Sequence, residues 1–437
     1  MSDKTFKYGS RWLKADFHLH TRADKEFIYN GEPDRFVSDY LDSLQKADIG
    51  IGVLTNHNKF DLNEFNALRK KARKRGIGLL PGIELSVKDG QAGVHTLVVF
   101  SDDWFSNKEQ INHIQSFLGL TFAGVANFEN ENARSIHDIV ATVRELDKFH
   151  KDYFLIFAHV EAPNGLWGGL APGRIKELFD NACVRRRALA FQKVRTRDER
   201  SKIKQSLGNL YPAEVEGCDA KNLPDMSTRK EASYLKLGAF SFDAVKFALS
   251  DKVSRVRSDQ PSYHHSFIRK ISFEGAGTLG GTEVCLSPEL NTLIGIRGSG
   301  KSSVLEGIRY ALGIPFGDKS SDVEYKEGLV NHLLRSGGKI TIDAIDRRGQ
   351  AYQIRRILGE RPDVYVNGEL QPGVSIRDTV LHQPIYFGQK DLSSTGAGFE
   401  KDLIEKLLGE ALIPIRQNIE KSCGRVVDAI SQIKRLS

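Results

Sequence analysis

The chain has 437 residues, 40% of them hydrophobic and 27% charged, with 63 basic against 56 acidic side chains and a net charge of +7. That composition is ordinary for globular proteins; it excludes disordered, collagen-like and membrane-embedded chains, and the length points to about two or three domains. The longest apolar run, about residues 153–160, falls far short of the ~20 residues of a membrane span.

In chain order, residues 1–250 alternate short apolar runs with polar helical stretches. Strands are expected at 14–17, 49–55, 78–83, 95–100 and 154–158, with helices at 33–47 and 63–75. This pattern predicts a parallel α/β fold, a barrel among its forms, in which ligands bind at the carboxyl ends of strands. Residues 251–265, DKVSRVRSDQPSYHH, are polar and read as a linker. Residues 266–437 then form a second region. It has a strand at 266–273, an apolar strand at 292–294, a helix at 302–312, and a three-strand antiparallel meander at 339–346, 351–358 and 364–366. From residue 399 the pattern is helical, and Pro414 should break or kink it. Beyond it Cys423, Val426, Ile430 and Ile433 have coiled-coil spacing.

Two stretches concentrate positive charge. Residues 185–204 hold nine basic and two acidic side chains, and residues 69–75 hold six basic ones. Such stripes attract polyanions by counterion release, although a solvated helix face is the ordinary explanation. The opening MSDKTFKYGSRWLKADF lacks a signal peptide's apolar core, and Cys183, Cys218, Cys285 and Cys423 form no C-x-x-C pair, so a cytoplasmic protein without disulfides or a membrane partner is expected.

Polar residues suited to metal binding follow the expected strands. DFHLHT carries His18 and His20, whose side chains share one strand face. TNHN carries His57, PGIE carries Glu84, and His95 lies eleven residues later. His159 closes the strand at 154–158, and GCDAKN carries Asp219 and Lys221. Each alone is weak; together, imidazoles and carboxylates at strand ends suit zinc, manganese or iron, and two ions can clamp a phosphodiester and activate water.

The order and wording of these motifs resemble the PHP (polymerase and histidinol phosphatase) family of metal-dependent phosphoesterases over about residues 11–250. The resemblance implies a distorted (β/α)7 barrel with up to three metal ions at its mouth. His18, His20, Glu84 and Asp219 would hold one ion. Glu84, His95 and His159 would hold a second, and His57 and Asp219 would contribute to a third. Glu84, His57 and Lys221 are the candidate catalytic residues. Two positions depart from the family pattern: Asn56 replaces the aspartate of T-D-H, and Lys221 replaces the histidine of D-x-H. A protonated lysine donates and cannot ligate, so Lys221 is expected to replace part of the third cation's charge near the substrate phosphate, unless the site has decayed.

In the second region, GIRGSGKS at 295–302 matches the phosphate-loop pattern G-x-x-x-x-G-K-[ST], ahead of an expected helix. Gly295, Arg297, Gly298, Ser299, Gly300, Lys301, Ser302 and Ser303 are the candidate nucleotide-binding residues, with Lys301 on the β- and γ-phosphates and Ser302 on Mg²⁺. The upstream GAGTLG at 275–280 is read as a turn between strands. Residues 266–437 resemble the amino-terminal lobe of the SMC, Rad50 and RecF group of ABC-type ATPases, which implies ATP with Mg²⁺ as ligand and a Q-loop glutamine at Gln389. The signature motif and a credible Walker B are missing; ITID at 340–343 feeds a hairpin. The chain stops where the group's coiled coil would begin, so a piece of a longer protein is expected, homodimeric through its ATPase.

The joint order resembles the bacterial TrlF-type PHP–ATPase fusions. It implies a metal-dependent phosphodiester hydrolase, a nuclease acting on DNA rather than RNA, coupled to an ATPase in genome maintenance or defence against foreign DNA. The run at 185–204 would flank the metal mouth. The alternatives are an ATP-dependent nucleic-acid clamp or sensor with a degenerate metal domain, and a small-molecule phosphatase.

Overall fold

The computed structural model describes residues 4–106, 111–228, 231–316, 322–382, 384–387 and 399–436. They divide into two compact units, Met1–Ser262 and Tyr263–Ser437.

The first unit is built on one mixed sheet. Seven strands lie side by side in chain order: β1 (Arg11–Leu19), β2 (Ile51–Leu54), β3 (Gly78–Val87), β4 (Val94–Phe100), β5 (Tyr153–Phe157), β6 (Ala188–Gln192) and β7 (Ala213–Val215). Beyond β7 the chain swings back to β1. The Phe17 amide donates to the Glu216 carbonyl at 3.3 Å and the Asp219 amide to the His18 carbonyl at 2.8 Å. These contacts bring the sheet to near closure as a barrel. One apolar cluster joins alternate strand residues, among them Leu13, Phe17, Val53, Leu80, Leu97 and Ile156, to Phe242, Val245 and Leu249 of helix Phe242–Ser250. A second packs the other sheet face against helices Phe36–Lys46, Leu62–Lys74, Ile139–Asp147 and Pro172–Asp180.

Two expectations need correction here. The sheet is not wholly parallel: β4 runs antiparallel to both β3 and β5. Only residues 88–93 separate β3 from β4, too few for the crossover that parallel neighbours require. Residues 251–265 are not wholly linker either. Lys252–Arg255 form a helical turn, and Val256–Arg257 pair antiparallel with strand Ser233–Leu237, which itself pairs with β1. The polar composition hides this packing because the long cations lie over rings, Arg255 over Phe247 at 4.7 Å and Arg257 over Trp12 at 5.5 Å.

The second unit has a six-stranded antiparallel sheet. Its order is Glu283–Cys285, Phe267–Glu274, Lys339–Ile345, Ala351–Ile357, Asp363–Val366 and Glu369–Leu370. Helices Lys301–Ala311 and Val323–Leu334 cover it through Val304, Val330 and Leu333 against Phe273, Ile340 and Ile342. Residues 275–280 turn between the first two strands of this hairpin, as read from the sequence. The apolar strand expected at 292–294 does not form, and Leu290 and Ile294 are exposed. A strand needs a neighbour for its backbone groups, and none among the described residues pairs with it. Nor does Pro414 end its helix, which runs Phe399–Leu436. The ring removes one backbone N–H, a local loss that the turns on either side survive.

Closure of the first sheet depends on Gly217, where an added Cβ would lie 2.6 Å from the His18 Cβ and 2.9 Å from its amide nitrogen. Gly217→Ala is expected to lower stability by about 1–3 kcal/mol in urea denaturation. Gly173→Ala, with nothing within 4 Å of its Cβ, should leave stability unchanged or raise it by up to ~1 kcal/mol.

Candidate metal centre

The ends of the barrel strands deliver the polar residues to one place. His18 and His20 come from the end of β1, where a register shift between Asp16 and Leu19 lets His18 turn to Glu84 although Phe17 beside it packs in the apolar cluster. His57 follows β2, Glu84 lies within β3, and His159 follows β5. His95 leads its strand instead of following it, because β4 runs the other way and its amino end falls among the carboxyl ends of its parallel counterparts.

Glu84 is the hub. Its side chain is 1% exposed and meets five imidazoles. Oε2 lies 2.7 Å from His18 Nε2, 3.1 Å from His57 Nε2 and 3.6 Å from His20 Nε2. Oε1 lies 2.7 Å from His95 Nδ1 and 3.5 Å from His159 Nε2. Burial alone would raise its pKa, but His18, His159 and His95 outweigh burial and hold it well below the carboxylate range. Asp219 stands at the edge, with Oδ1 3.2 Å from His20 Nε2 and 3.6 Å from His18 Nε2.

These donors fit divalent cations. Nitrogen and oxygen ligands about 2.0–2.2 Å from one ion sit roughly 3–3.5 Å apart around it. Among the described residues, four groups of such donors come within 4.8 Å of one another, and two of them contain Glu84: His18 with His20, Glu84 and Asp219, and His57 with Glu84 and His95. These two share Glu84, which would serve both groups. His159 adds a nitrogen 3.5 Å from Glu84, and its other ring nitrogen is buried with no hydrogen-bond partner among the described residues.

Several residues around this centre have no motif to announce them. Asp24 Oδ2 accepts from His20 Nδ1 at 2.9 Å, from His57 Nδ1 at 2.9 Å and from the His57 amide at 2.7 Å. It thereby fixes both rings with Nε2 toward Glu84, the usual carboxylate–histidine support of a metal site. The one sequence hint is its place four residues after His20. Gln192 is fully buried, with Oε1 3.0 Å from His18 Nδ1; its hint is a polar residue closing the apolar strand ALAFQ. Lys193, next in the chain, reaches Asp219 Oδ2 at 3.3 Å.

The two departures from the family pattern behave differently. Asn56 turns away from the cluster: its Oδ1 accepts from the Thr21 amide at 2.8 Å and its Nδ2 donates to Thr21 Oγ1 at 3.0 Å. Lys221 enters it, with Nζ 2.8 Å from His20 Nε2, 3.1 Å from Asp219 Oδ1 and 3.4 Å from Glu26 Oε2. Burial opposes its charge, yet Asp219 and Glu84 raise its pKa above the ordinary value.

The basic run at 185–204 does not flank the mouth as a unit. Helix Ala182–Arg187 precedes β6 and so lies at the opposite end of that strand, where Arg187 pairs with Asp147 at 2.9 Å and Asp152 at 2.7 Å. Arg195 grips Glu216 through two bonds, at 2.5 and 2.7 Å, and Arg200 and Lys204 hold Glu214 at 3.0 and 3.1 Å. Much of the excess charge is therefore neutralised locally.

In the second unit, Gly298 and Gly300 take φ angles of 83° and 86°, a backbone that suits glycine, and Gly300 caps helix Lys301–Ala311. The loop wraps the Lys301 ammonium, which donates to the Gly295 and Ile296 carbonyls at 2.7 Å each and to Ser299 Oγ at 3.3 Å. Arg297 and Ser302 border a cavity with Tyr325, Tyr386 and Phe387. Ser303 lies in the first turn of the helix. Gln389 falls outside the described residues.

No family model and no curated protein matches the chain. Among solved structures it is similar to a two-domain protein from Bacteroides vulgatus containing a predicted PHP-like metal-dependent phosphoesterase, at 13% identity over 63% of this chain and 85% of that one, TM-score 0.39. It is also similar to the lesion-specific endonuclease PfuEndoQ from Pyrococcus furiosus, at 10% identity over 72% and 81%, TM-score 0.40, and to PsfC from Pseudomonas syringae, at 13% over 58% and 93%, TM-score 0.35.

Removing the Asp24 charge without changing its size tests its support of the rings. Asp24→Asn is expected to keep the fold by circular dichroism and to weaken Mn²⁺ or Zn²⁺ binding about 10–100-fold by calorimetry. Unchanged affinity would show that Asp24 does not hold His20 and His57 for an ion.

Proposed function

We propose that the first unit is a divalent-metal-dependent phosphoester hydrolase acting on nucleic acid, DNA ahead of RNA, and that the second unit binds ATP with Mg²⁺. The observation that carries the first part is the single buried carboxylate of Glu84 shared by five imidazoles, with Asp219 at the rim. His18, His20, Glu84 and Asp219 would hold one ion, and His57, Glu84, His95 and His159 a second. The donor set suits manganese, zinc or iron. Such ions supply Lewis-acid charge to a phosphoryl group and make water acidic near neutral pH.

The chain's own groups do the rest. Glu84 fixes the spacing of the two ligand sets, and Asp24 and Gln192 keep the imidazole lone pairs aimed inward. Lys221, beside His20, Asp219 and Glu26, would supply part of a third cation's charge and donate to a phosphate oxygen. Glu26 Oε2 stands 4.0 Å from His57 Nδ1 and 3.4 Å from Lys221 Nζ, a carboxylate beside the centre that would take up a proton from water.

The internal pairing of Arg187, Arg195, Arg200 and Lys204 favours a second reading, a small phosphoester as substrate, because less of the basic run remains for a polyanion. In the second unit, the pattern GIRGSGKS with Gly298 and Gly300 in glycine-permitted backbone at the start of helix Lys301–Ala311 supports a nucleotide site. ATP binding would then modulate the hydrolase, with the protein acting as a homodimer through this unit.

An activity panel with Mn²⁺ and labelled single- and double-stranded DNA, RNA and a chromogenic phosphoester tests these readings. Turnover on DNA is expected, lost on chelation and reduced at least about a hundredfold in both His18→Ala and Glu84→Ala. DNA binding without turnover would favour a clamp, and turnover on the chromogenic ester alone a small-molecule phosphatase. Lys301→Ala is expected to weaken ATP binding at least about tenfold, since it removes the charge aimed at the β- and γ-phosphates; unchanged affinity would remove the nucleotide reading.

A further inference from the structure

We propose that Lys193 and Lys221 form a two-ammonium clamp that seats the substrate's phosphate group at the open edge of the centre. The inference rests on the phosphoester reading above and deepens it by adding a residue that the motifs do not reach.

Asp219 carries one lysine on each oxygen, Lys221 Nζ 3.1 Å from Oδ1 and Lys193 Nζ 3.3 Å from Oδ2. The two arrive from separate segments, one following β6 and one following β7. Their side chains are 24% and 30% exposed, whereas Glu84, His18 and His20 are at most 1% exposed. The lysines are thus the cationic part of the cluster that an incoming anion meets.

The backbone supports the assignment. Lys193 takes a φ of 59° and Asp219 one of 54°. The left-handed region is unfavourable for lysine and offers it no local side-chain bond in return, as it does aspartate. The conformation is held by the Lys193 amide on the Val215 carbonyl at 3.1 Å and the Asp219 amide on the His18 carbonyl at 2.8 Å. Strain of this kind, kept at the rim of a polar centre, marks a position whose side-chain direction matters.

Asp219 Oδ1 faces His18 and His20 Nε2 and belongs to the first ligand set. A cation drawn into that set takes up the Asp219 charge. The two ammonium groups then lack most of their counter-charge, with Glu26, 3.4 Å from Lys221, remaining. A phosphate group offers two or more non-bridging oxygens, and each ammonium, a point charge with three protons, can donate to one of them.

The test uses the full chain loaded with Mn²⁺ and two probes, inorganic phosphate and a phosphorothioate oligonucleotide, by calorimetry. Lys193→Gly removes the ammonium while relieving the backbone, so the variant should fold, and Lys193→Met and Lys221→Met remove charge alone. Each variant is expected to bind phosphate about tenfold more weakly and to bind Mn²⁺ within about threefold of the parent. If the seat serves a nucleic-acid backbone, the oligonucleotide's salt dependence should also fall by about one charge per lysine removed. A loss confined to free phosphate still supports the clamp, with a small ester as its ligand. Phosphate affinity unchanged in Lys193→Gly, or Mn²⁺ affinity falling in step with it, would overturn the proposal. The readout is binding, so a chain that turns over no substrate would sink the hydrolase reading and leave the clamp to be decided by these titrations.

Discussion

A carboxylate buried without partners is among the costliest groups a fold can contain. Glu84 is buried inside β3, and five imidazoles from four other chain segments converge on it. Most of the architecture of the first unit can be read as the means of that convergence. The near-closed sheet brings the end of β1 beside residues 216–220, the reversed β4 offers His95 from its amino end, and the glycine at 217 lets the backbone pass close to His18. A cluster so satisfied by imidazole and so poor in apolar contact is a poor device for stability. It is a good one for holding cations, since every nitrogen around Glu84 presents a lone pair or a proton that an ion can replace.

The residues that surround the hub extend the same logic outward. Asp24 and Gln192 hold rings, and Lys193 and Lys221 hold the exposed carboxylate of Asp219. Charge therefore changes sign from the buried acid, through the imidazoles, to two ammonium groups at the rim. An anion approaching from solvent meets the positive groups first.

How far this was legible in the sequence depended on the range of the interaction. Strands β1 to β5 and the first two long helices of the first unit follow from local apolar periodicity, and five histidines with Glu84 each stand at or beside an expected strand; β6, β7 and Ser233–Leu237 were not foreseen, so Asp219 stood beside none. The direction of β4 was missed because periodicity is blind to direction, though the six residues before it leave no room for a crossover. Asp24, Gln192 and Lys193 were missed because their roles are tertiary: Asp24 meets His57 across 33 positions and Lys193 meets Asp219 across 26. The basic run misled for the same reason, since Glu214, Glu216, Asp147 and Asp152, which neutralise it, lie elsewhere in the chain. In the second unit the glycine turn and the helix that follows it are local and were readable, whereas a strand at 292–294 needs a neighbour that local sequence cannot supply.

Anomalous scattering from crystals of the chain grown with Mn²⁺ tests the central claim most directly. Two ions are predicted, one on each side of Glu84, each about 2.0–2.3 Å from one of its oxygens, with His18, His20 and Asp219 around the first and His57, His95 and His159 around the second. Anomalous density that leaves Glu84 uncoordinated, its oxygens still bonded only to imidazole, would contradict the account.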